Sequence, residues 1–163
     1  MIALAMLLSP AAKANDWESD LVRLHVIADS DGESAQALKL EVRDAVLEMA
    51  QEILKDCESA DDAYEVLNEN LEMFENAAKE RAKELGWTGS VCAETGTFEF
   101  PDRVYGGTLV PAGEYRALRI VIGEGEGRNW WCVLYPSMCS LSEDGRVSLI
   151  WEWLKKWFGG DGE

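Results

Sequence analysis

Residues 21–55 read LVRLHVIADSDGESAQALKLEVRDAVLEMAQEILK, and this stretch predicts both element types of the fold. Residues 21–28 are rich in Val, Ile and Leu and alternate weakly, which is typical of a strand buried on one face and partly on the other. The polar run Asp29–Gly32 supplies turn chemistry, and Ser30 with Glu33 has the spacing of a capping box. Apolar residues then recur at helical spacing to the end of the stretch, which predicts a helix with one core-facing stripe.

A second helix is predicted downstream by the same two signals. Ser59 and Asp62 repeat the capping pattern, and apolar residues at helical spacing run from Val66 to Leu85. Gly86 is expected to end this helix, because glycine readily adopts the left-handed conformation found just past helix ends. The two helices together predict an αα-hairpin.

Beyond Trp87 the pattern changes to β-forming runs separated by turn signals. Residues 91–100 alternate, residues 115–122 are rich in β-formers, and residues 129–135, NWWCVLY, contain two large aromatics. The glycine-spaced segment Gly123–Gly127 is expected to join the last two runs as a β-hairpin. This order predicts an α+β fold, in which an N-terminal strand and an αα-hairpin precede a mixed or antiparallel sheet of about four strands with helices on one face.

The stretch 147–158, VSLIWEWLKKWF, predicts a Trp-rich C-terminal helix with a narrow polar side. Its side chains Trp151, Trp153 and Trp157 would be an aggregation liability in water, since burying one large apolar side chain is worth roughly 1.5–3 kcal/mol. Residues 143–163 are therefore expected to form an amphipathic tail. The tail would dock on the domain's own sheet, at a membrane interface or in a partner groove.

The N-terminus has features of a secretory signal peptide. Met1–Leu8 is an almost unbroken apolar run, and Ala12–Ala14 supplies the small residues of an A-x-A cleavage site. No Lys or Arg precedes this short run, so we interpret residues 1–14 as a signal peptide with a truncated start; a buried first helix or strand is the alternative. Residues 15–142 are then expected to form a single domain. No apolar run reaches the length of about eighteen residues that would predict a transmembrane helix.

Composition narrows the range of functions. The chain has 163 residues and a formal net charge of −16, from 31 acidic and 15 basic residues. This charge would repel the phosphate backbone, so nucleic acid is not expected as a partner. One histidine and four cysteines without a Cys-x-x-Cys pair offer few groups for nucleophilic or metal chemistry. No catalytic residue, metal or cofactor is predicted.

Two segments resemble the stage II sporulation protein R family. Residues 23–44, RLHVIADSDGESAQALKLEVRD, resemble the pattern R-L-x-V-I-A-N-S-D-S-x-x-D-Q-x-L-K-x-x-V-R-D. Residues 111–139, PAGEYRALRIVIGEGEGRNWWCVLYPSMC, resemble P-A-G-x-Y-x-A-L-R-x-x-I-G-x-G-x-G-x-N-W-W-C-V-L-F-P-P-L-C. The departures from these patterns are Asp29, Gly32, Ala35, Tyr135, Ser137 and Met138.

The resemblance implies a secreted signalling protein of endospore formation, released into the intermembrane space between forespore and mother cell. There it would activate a septal-membrane aspartic protease and so trigger processing of pro-sigma-E in the mother cell. It would be a ligand of the protease and not an enzyme. A secreted hydrolase, and an envelope- or membrane-binding structural module, are the alternative functions; each fits an exported chain.

The cysteines are candidates for disulfides. Cys132 and Cys139 would close a loop of about eight residues, and loop-closure entropy gives such a bridge roughly 2.5 kcal/mol, so a disulfide is predicted here. Cys57 and Cys92 could form a second bridge or remain buried thiols. A nucleophilic Cys132 with His25 as its base is disfavoured, because a hydrophobic strand lacks the electropositive, open setting that stabilises a thiolate.

Candidates for partner contact are chosen because Trp and Arg dominate interface energetics and Asn-Trp-Trp opens a strand at a turn. They are Arg23, Asp31, Arg43, Arg119, Asn129, Trp130 and Trp131. Pleat geometry places Trp130 and Trp131 on opposite faces, so one is expected to be structural and the other available. Arg119 could instead pair with an acid on a neighbouring strand.

Two motifs resemble ligand-binding loops only superficially. Asp29, Asp31 and Glu33 carry the wrong glycine spacing for a calcium loop and are read as capping groups. Gly123–Gly127 contains glutamates that would repel phosphate, and it is read as a turn. His25, the only histidine of the sequence, is expected to be a strand residue whose imidazole has hydrogen-bond partners.

Overall fold

A computed structural model describes residues 19–105, 108–136, 139–141 and 147–149 of the chain. The elements in order are β1 (Val22–Ile27), α1 (Glu33–Ile53), α2 (Ala60–Glu69), α3 (Leu71–Glu84), β2 (Val91–Phe100), β3 (Arg103–Tyr105), β4 (Thr108–Val110), β5 (Gly113–Ile122), β6 (Asn129–Tyr135), β7 (Cys139–Leu141) and β8 (Val147–Leu149). The α+β fold class is confirmed. Within these residues, no helix combines the length and the apolar character needed to cross a membrane.

The main sheet has four strands in the order β2-β5-β1-β6 and is mixed. Strand β1 runs parallel to β5 and antiparallel to β6, and β2 runs antiparallel to β5. The predicted hairpin of residues 115–122 with residues 129–135 is therefore wrong, because β1 lies between these two strands. Val22, Leu24 and Val26 are fully buried, and a buried strand needs backbone partners on both edges. The central position gives β1 both partners.

The helices pack on one face of this sheet, as predicted. Arg116 of β5 donates from Nη1 to Oδ1 of Asp61 in α2 at 2.6 Å. The backbone N–H of Ala93 in β2 donates to Oε2 of Glu75 in α3 at 3.0 Å. The core between the layers is apolar and includes Leu24, Leu67, Phe74, Val42, Leu118 and Ile120. Two short hairpins, β3–β4 and β7–β8, complete the described structure.

The second predicted helix is in fact two helices that meet at Asn70. The Ser59 cap is confirmed, since Ser59 Oγ accepts a hydrogen bond from the Asp62 N–H at 3.1 Å. The backbone N–H and the side-chain Nδ2 of Asn70 both donate to the carbonyl of Val66, at 3.1 and 2.8 Å. Asparagine side chains compete for backbone groups in this way, which explains the break.

Gly86 ends the second of these helices, as predicted. Its φ is +85°, and its N–H donates to the carbonyl of Lys83 at 3.0 Å. The N–H of Trp87 donates to the carbonyl of Ala82, also at 3.0 Å. This pair of bonds is the Schellman arrangement, which a residue without a β-carbon adopts at least cost.

The start of α1 differs from the prediction. Its N-cap residue is Gly32, which makes no side-chain cap bond, so the predicted capping box is wrong. Asp29 and Asp31 bind the glycine-spaced segment instead: Asp29 Oδ1 accepts from the N–H of Glu124 at 3.0 Å, and Asp31 Oδ1 accepts from that of Arg128 at 2.8 Å. These bonds hold the segment against the carboxyl end of β1, where it crosses from β5 to β6.

The predicted C-terminal helix is wrong at its start, because residues 147–149 form β8 and pair antiparallel with β7. The backbone groups of these residues pair with those of β7 on the neighbouring strand, whereas in a helix they would pair within their own segment. Trp151, Trp153 and Trp157 lie outside the described residues. So do the predicted signal peptide and both predicted domain boundaries, which remain predictions.

Candidate partner interface

Among the described residues, no helix packs on one face of the main sheet, and we call this the open face. His25 of β1 is level with Arg119 of β5 and with Trp131 of β6, and Arg119 is level with Glu94 of β2. Residues paired in this way project to the same side of a sheet. The open face is formed by Arg23, His25, Glu94, Phe98, Phe100, Tyr115, Arg119, Asn129 and Trp131.

Four of the seven predicted contact residues share this face: Arg23, Arg119, Asn129 and Trp131. The other three lie elsewhere. Trp130 is on the helix side, where the guanidinium carbon of Arg43 lies 4.9 Å from its ring centroid. Asp31 is bound to Arg128 beyond the end of β1. The two tryptophans are on opposite faces, as the pleat requires, but both are half-buried.

Arg23 is fully buried beneath the open face within a cluster of aromatic rings. Its guanidinium carbon lies 4.2 Å from the ring centroid of Phe100 and 4.8 Å from that of Tyr115. Nη2 donates to the hydroxyl of Tyr105 at 3.0 Å, whereas Nε and Nη1 have no hydrogen-bond partner in the protein. Burial lowers the pKa of Arg23, and the Tyr105 hydroxyl opposes this effect. The guanidinium is thus held mainly by aromatic faces.

His25 stacks directly on Trp131, with ring centroids 3.8 Å apart. Phe100 contacts both rings through its edge, with centroids 5.9 Å from His25 and 4.9 Å from Trp131. Neither imidazole nitrogen has a hydrogen-bond partner, so the expectation of a satisfied histidine is wrong. The reason is that aromatic rings, which accept no conventional hydrogen bond, surround the imidazole.

The electrostatic surroundings keep His25 neutral. Burial lowers the pKa of His25 to about 4, and the positive charges of Arg119 and Arg23 act in the same direction. The Asn129 side chain opposes them, although it does not meet hydrogen-bond geometry with the ring. A proton on His25 would therefore be strongly disfavoured in the folded protein.

The open face concentrates polar groups that cost stability. In the described part of the chain, five buried side-chain nitrogens lack a hydrogen-bond partner, and four of them belong to Arg23 and His25. An unsatisfied buried group costs about 1–3 kcal/mol. Such groups call for an explanation, and functional sites are where proteins retain them.

Arg119 is the half-exposed cation of this face. Its Nη2 lies 2.6 Å from Oε1 of Glu94, and its guanidinium carbon lies 4.1 Å from the ring centroid of Phe98. The alternative pairing with an acid on a neighbouring strand is thus what the structure contains. Asn129 is exposed at the start of β6. An arginine, an asparagine and a stacked tryptophan on a sheet face that none of the described helices covers suit contact with another protein.

Sequence reasoning missed the aromatic residues that build this face. Phe100, Tyr105 and Tyr115 surround the buried guanidinium of Arg23, and Phe98 lies against Arg119, yet none of the four was predicted as a site residue. The alternation of residues 91–100 could have placed Phe98 and Phe100 on one face. The contribution of Tyr105 comes from the separate β3–β4 hairpin, and no local pattern indicates it.

The cysteines do not form a catalytic site with the histidine. Cys132 is fully buried and level with Leu24 on the helix side, whereas His25 is on the open face. Cys57 and Cys92 are free thiols, so the suggested second bridge is wrong, and Cys92 is exposed. The Cys132–Cys139 disulfide stays a prediction. No cluster of three or more potential metal ligands occurs among the described residues.

The family model and the curated relative that match this chain carry the same description. A family model described as stage II sporulation protein R matches residues 18–144. The stage II sporulation protein R of Bacillus subtilis (strain 168) is 38% identical over 120 residues, which are 74% of this chain and 54% of that relative. The chain therefore spans about half the length of the curated relative it matches. No solved structure matches the chain.

Proposed function

Because this chain belongs to the stage II sporulation protein R family, we propose that it is a non-enzymatic signalling protein of endospore formation that activates a septal-membrane aspartic protease. It acts after secretion into the intermembrane space between forespore and mother cell, and activation leads to processing of pro-sigma-E. The family gives the chain its role in sporulation. Secretion, the protease and the mode of activation are the parts that we propose.

The open face is the surface through which we propose that the protease is bound. The observation that carries this proposal is the group of Arg119, Asn129 and Trp131 on the sheet face that the helices leave uncovered. Trp and Arg are the residues that most often supply binding energy at protein interfaces. The buried Arg23 and His25 beneath them hold the aromatic surface in place through stacking contacts.

The opposite placement of Cys132 and His25 argues against the hydrolase alternative. A nucleophile and its base must lie within hydrogen-bond reach, and here the sheet separates them. The membrane-binding alternative concerns the tail and is independent of the open face. Peripheral membrane contact by Trp151, Trp153 and Trp157 remains compatible with the ligand function.

The test is reconstitution of substrate processing. Purified protein starting at Asn15 is added to vesicles that carry the septal protease and its pro-sigma-E substrate, and substrate cleavage is followed over time. We expect cleavage to be stimulated. Failure of a correctly folded, oxidised protein to stimulate cleavage would refute the activator function.

A matched pair of arginine variants on β5 locates the interface. Arg119 and Arg116 each form an ion pair of 2.6 Å and each lie over one aromatic ring, but Arg119 is on the open face and Arg116 faces α2. Replacing an interface arginine by alanine removes about 1–2 kcal/mol or more of binding energy. Arg119→Ala is therefore expected to raise the concentration for half-maximal activation about tenfold. Arg116→Ala should leave it unchanged; equal effects would place the interface elsewhere.

A further inference from the structure

A groove of about 660 Å³ lies between the exposed sides of α1 and α3. Its floor is apolar and contains two methionines, and Met73 is 51% exposed. The floor residues are Ala45, Met49, Ile53, Met73 and Ala77. Flexible methionine side chains adapt their shape to an inserted partner, so this floor suits the apolar side of another helix.

Carboxylates line both walls of the groove. Those on α1 are Glu41, Asp44, Glu48 and Glu52, and those on α3 are Glu80 and Glu84. Arg81 is the basic residue of the lining, and it is already ion-paired with Glu41 and Glu84. Asp44 is ion-paired with Arg43 and Glu52 with Lys55, whereas Glu48 and Glu80 form no ion pair among the described residues. A cation placed beside Glu48 or Glu80 would supply the missing opposite charge on each wall.

The segment 150–158 of the same chain, IWEWLKKWF, has the complementary pattern. Wound as a helix, it gathers its tryptophans, Ile150, Leu154 and Phe158 into one apolar side. Lys155 and Lys156 then lie on the two opposite edges of that side, and Glu152 lies between them on the polar side. An apolar stripe with a cation on each edge matches an apolar floor with carboxylates on each wall.

The point at which the segment begins also fits docking in the groove. It directly follows β8, which pairs with β7, and β7 packs against α1. A helix of nine residues is about 13 Å long. That is the length of α1 from Ala45 to Ile53, the part of α1 that contributes to the groove floor. We propose that residues 150–158 dock as an amphipathic helix in the groove between α1 and α3.

This docking is independent of protease activation and of the open face. It assigns the tail an intramolecular site, so that the tryptophans stabilise the helical layer and are withheld from lipid. The segment lies past residue 144, where the family match ends. It therefore adds to the family domain a part that covers the acidic helix surface.

Hydrogen exchange of the full chain, followed by mass spectrometry, tests the proposal. We expect amides of residues 150–158 to exchange at least about tenfold more slowly than in the isolated peptide. Met73→Glu places another carboxylate on the apolar floor and should return exchange to the peptide rate. The matched control is Leu109→Glu in β4, because Leu109 is similarly exposed at 54% and lies outside the groove. It should leave the protection unchanged.

Each other outcome overturns the proposal. Exchange at the peptide rate in the parent protein means that the segment is not docked, and protection that persists in Met73→Glu means that it docks elsewhere. Protection that rises with protein concentration assigns the site to a second copy, and protection only with lipid vesicles assigns the segment to a membrane. If Met73→Glu does not fold, Lys155→Glu with Lys156→Glu reverses the charges on the segment itself, and undiminished protection there counts equally against the groove.

Discussion

Acidification should destabilise the protein through His25 over a defined pH window. In the unfolded chain this imidazole takes up a proton near pH 6.5, whereas burial holds its pKa at about 4 in the folded protein. Between these values the unfolded state binds more protons, so stability falls as the pH falls. The contribution is fully present above about pH 6.5 and is lost progressively towards pH 4.

The size of the effect follows from these two pKa values. A shift of one pKa unit corresponds to about 1.4 kcal/mol, so the full contribution is about 3 kcal/mol. At about pH 5 the unfolded chain is almost completely protonated on His25 and the folded protein is not, and the expected loss relative to about pH 7.5 is about 2 kcal/mol. His25 is only 6% exposed, so solvent screens this term little.

Urea unfolding of the parent protein and of His25→Phe isolates this term. The phenylalanine ring retains the stacking surface towards Trp131 but does not titrate. Since both proteins carry the same carboxylates, the difference between their free energies of unfolding at the two pH values reports His25. The chain has one histidine, so its imidazole proton resonance also gives the folded pKa directly. The reasoning is refuted if both proteins lose equal stability, or if the resonance titrates near pH 6.5.

Two further predictions concern covalent and backbone constraints. Peptide mapping without reductant should find the Cys132–Cys139 disulfide. Cys139→Ser should lower the free energy of unfolding by roughly 2.5 kcal/mol, because the loop is no longer closed. Cys92→Ser, at an exposed free thiol, should leave the free energy of unfolding unchanged. Gly127→Ala would place a β-carbon 2.3 Å from the carbonyl oxygen of Ser30, which should cost more than about 2 kcal/mol in urea unfolding. At Gly86 a β-carbon meets no atom within 4 Å, so Gly86→Ala should cost only about 1–2 kcal/mol of left-handed backbone strain; equal losses at the two glycines would contradict this reasoning.

Local sequence patterns predicted the element types of this fold because the physics that decides them is local. The apolar spacing of residues 38–53 and the cap at Ser59 act within a few residues, and both appear in the structure. The strand order was not predictable in this way. Residues 115–122 and 129–135 are neighbours in sequence, but β1 inserts between them because its backbone and both of its faces are buried. The choice between those pairings depends on the whole core.

The candidate site also combines features that local sequence patterns predict with features that depend on the whole fold. Alternation along β6 places Trp130 and Trp131 on opposite faces, and strand position brings Arg23 and Arg119 to one of them. The stack of Trp131 on His25 and the burial of Arg23 beneath Phe100 require β1, β2 and β6 to meet. Contacts of this kind join residues that are more than seventy positions apart in sequence, and no single segment encodes them.

Among the described residues, most of the buried side-chain nitrogens that lack a hydrogen-bond partner lie on the open face, and this links folding stability to the proposed function. The helix side of the sheet is packed with apolar residues, whereas the open face buries an arginine with two unpaired nitrogens and a histidine with two more. Leucine or phenylalanine at these positions would fill the same space without that cost. Arg23 and His25 instead keep Phe100 and Trp131 in fixed orientations, at the edge of a face that the helices leave uncovered. A rigid aromatic surface loses little conformational entropy when a partner binds, so under the proposed function we expect the cost in folding stability to be offset by tighter partner binding at Arg119, Asn129 and Trp131.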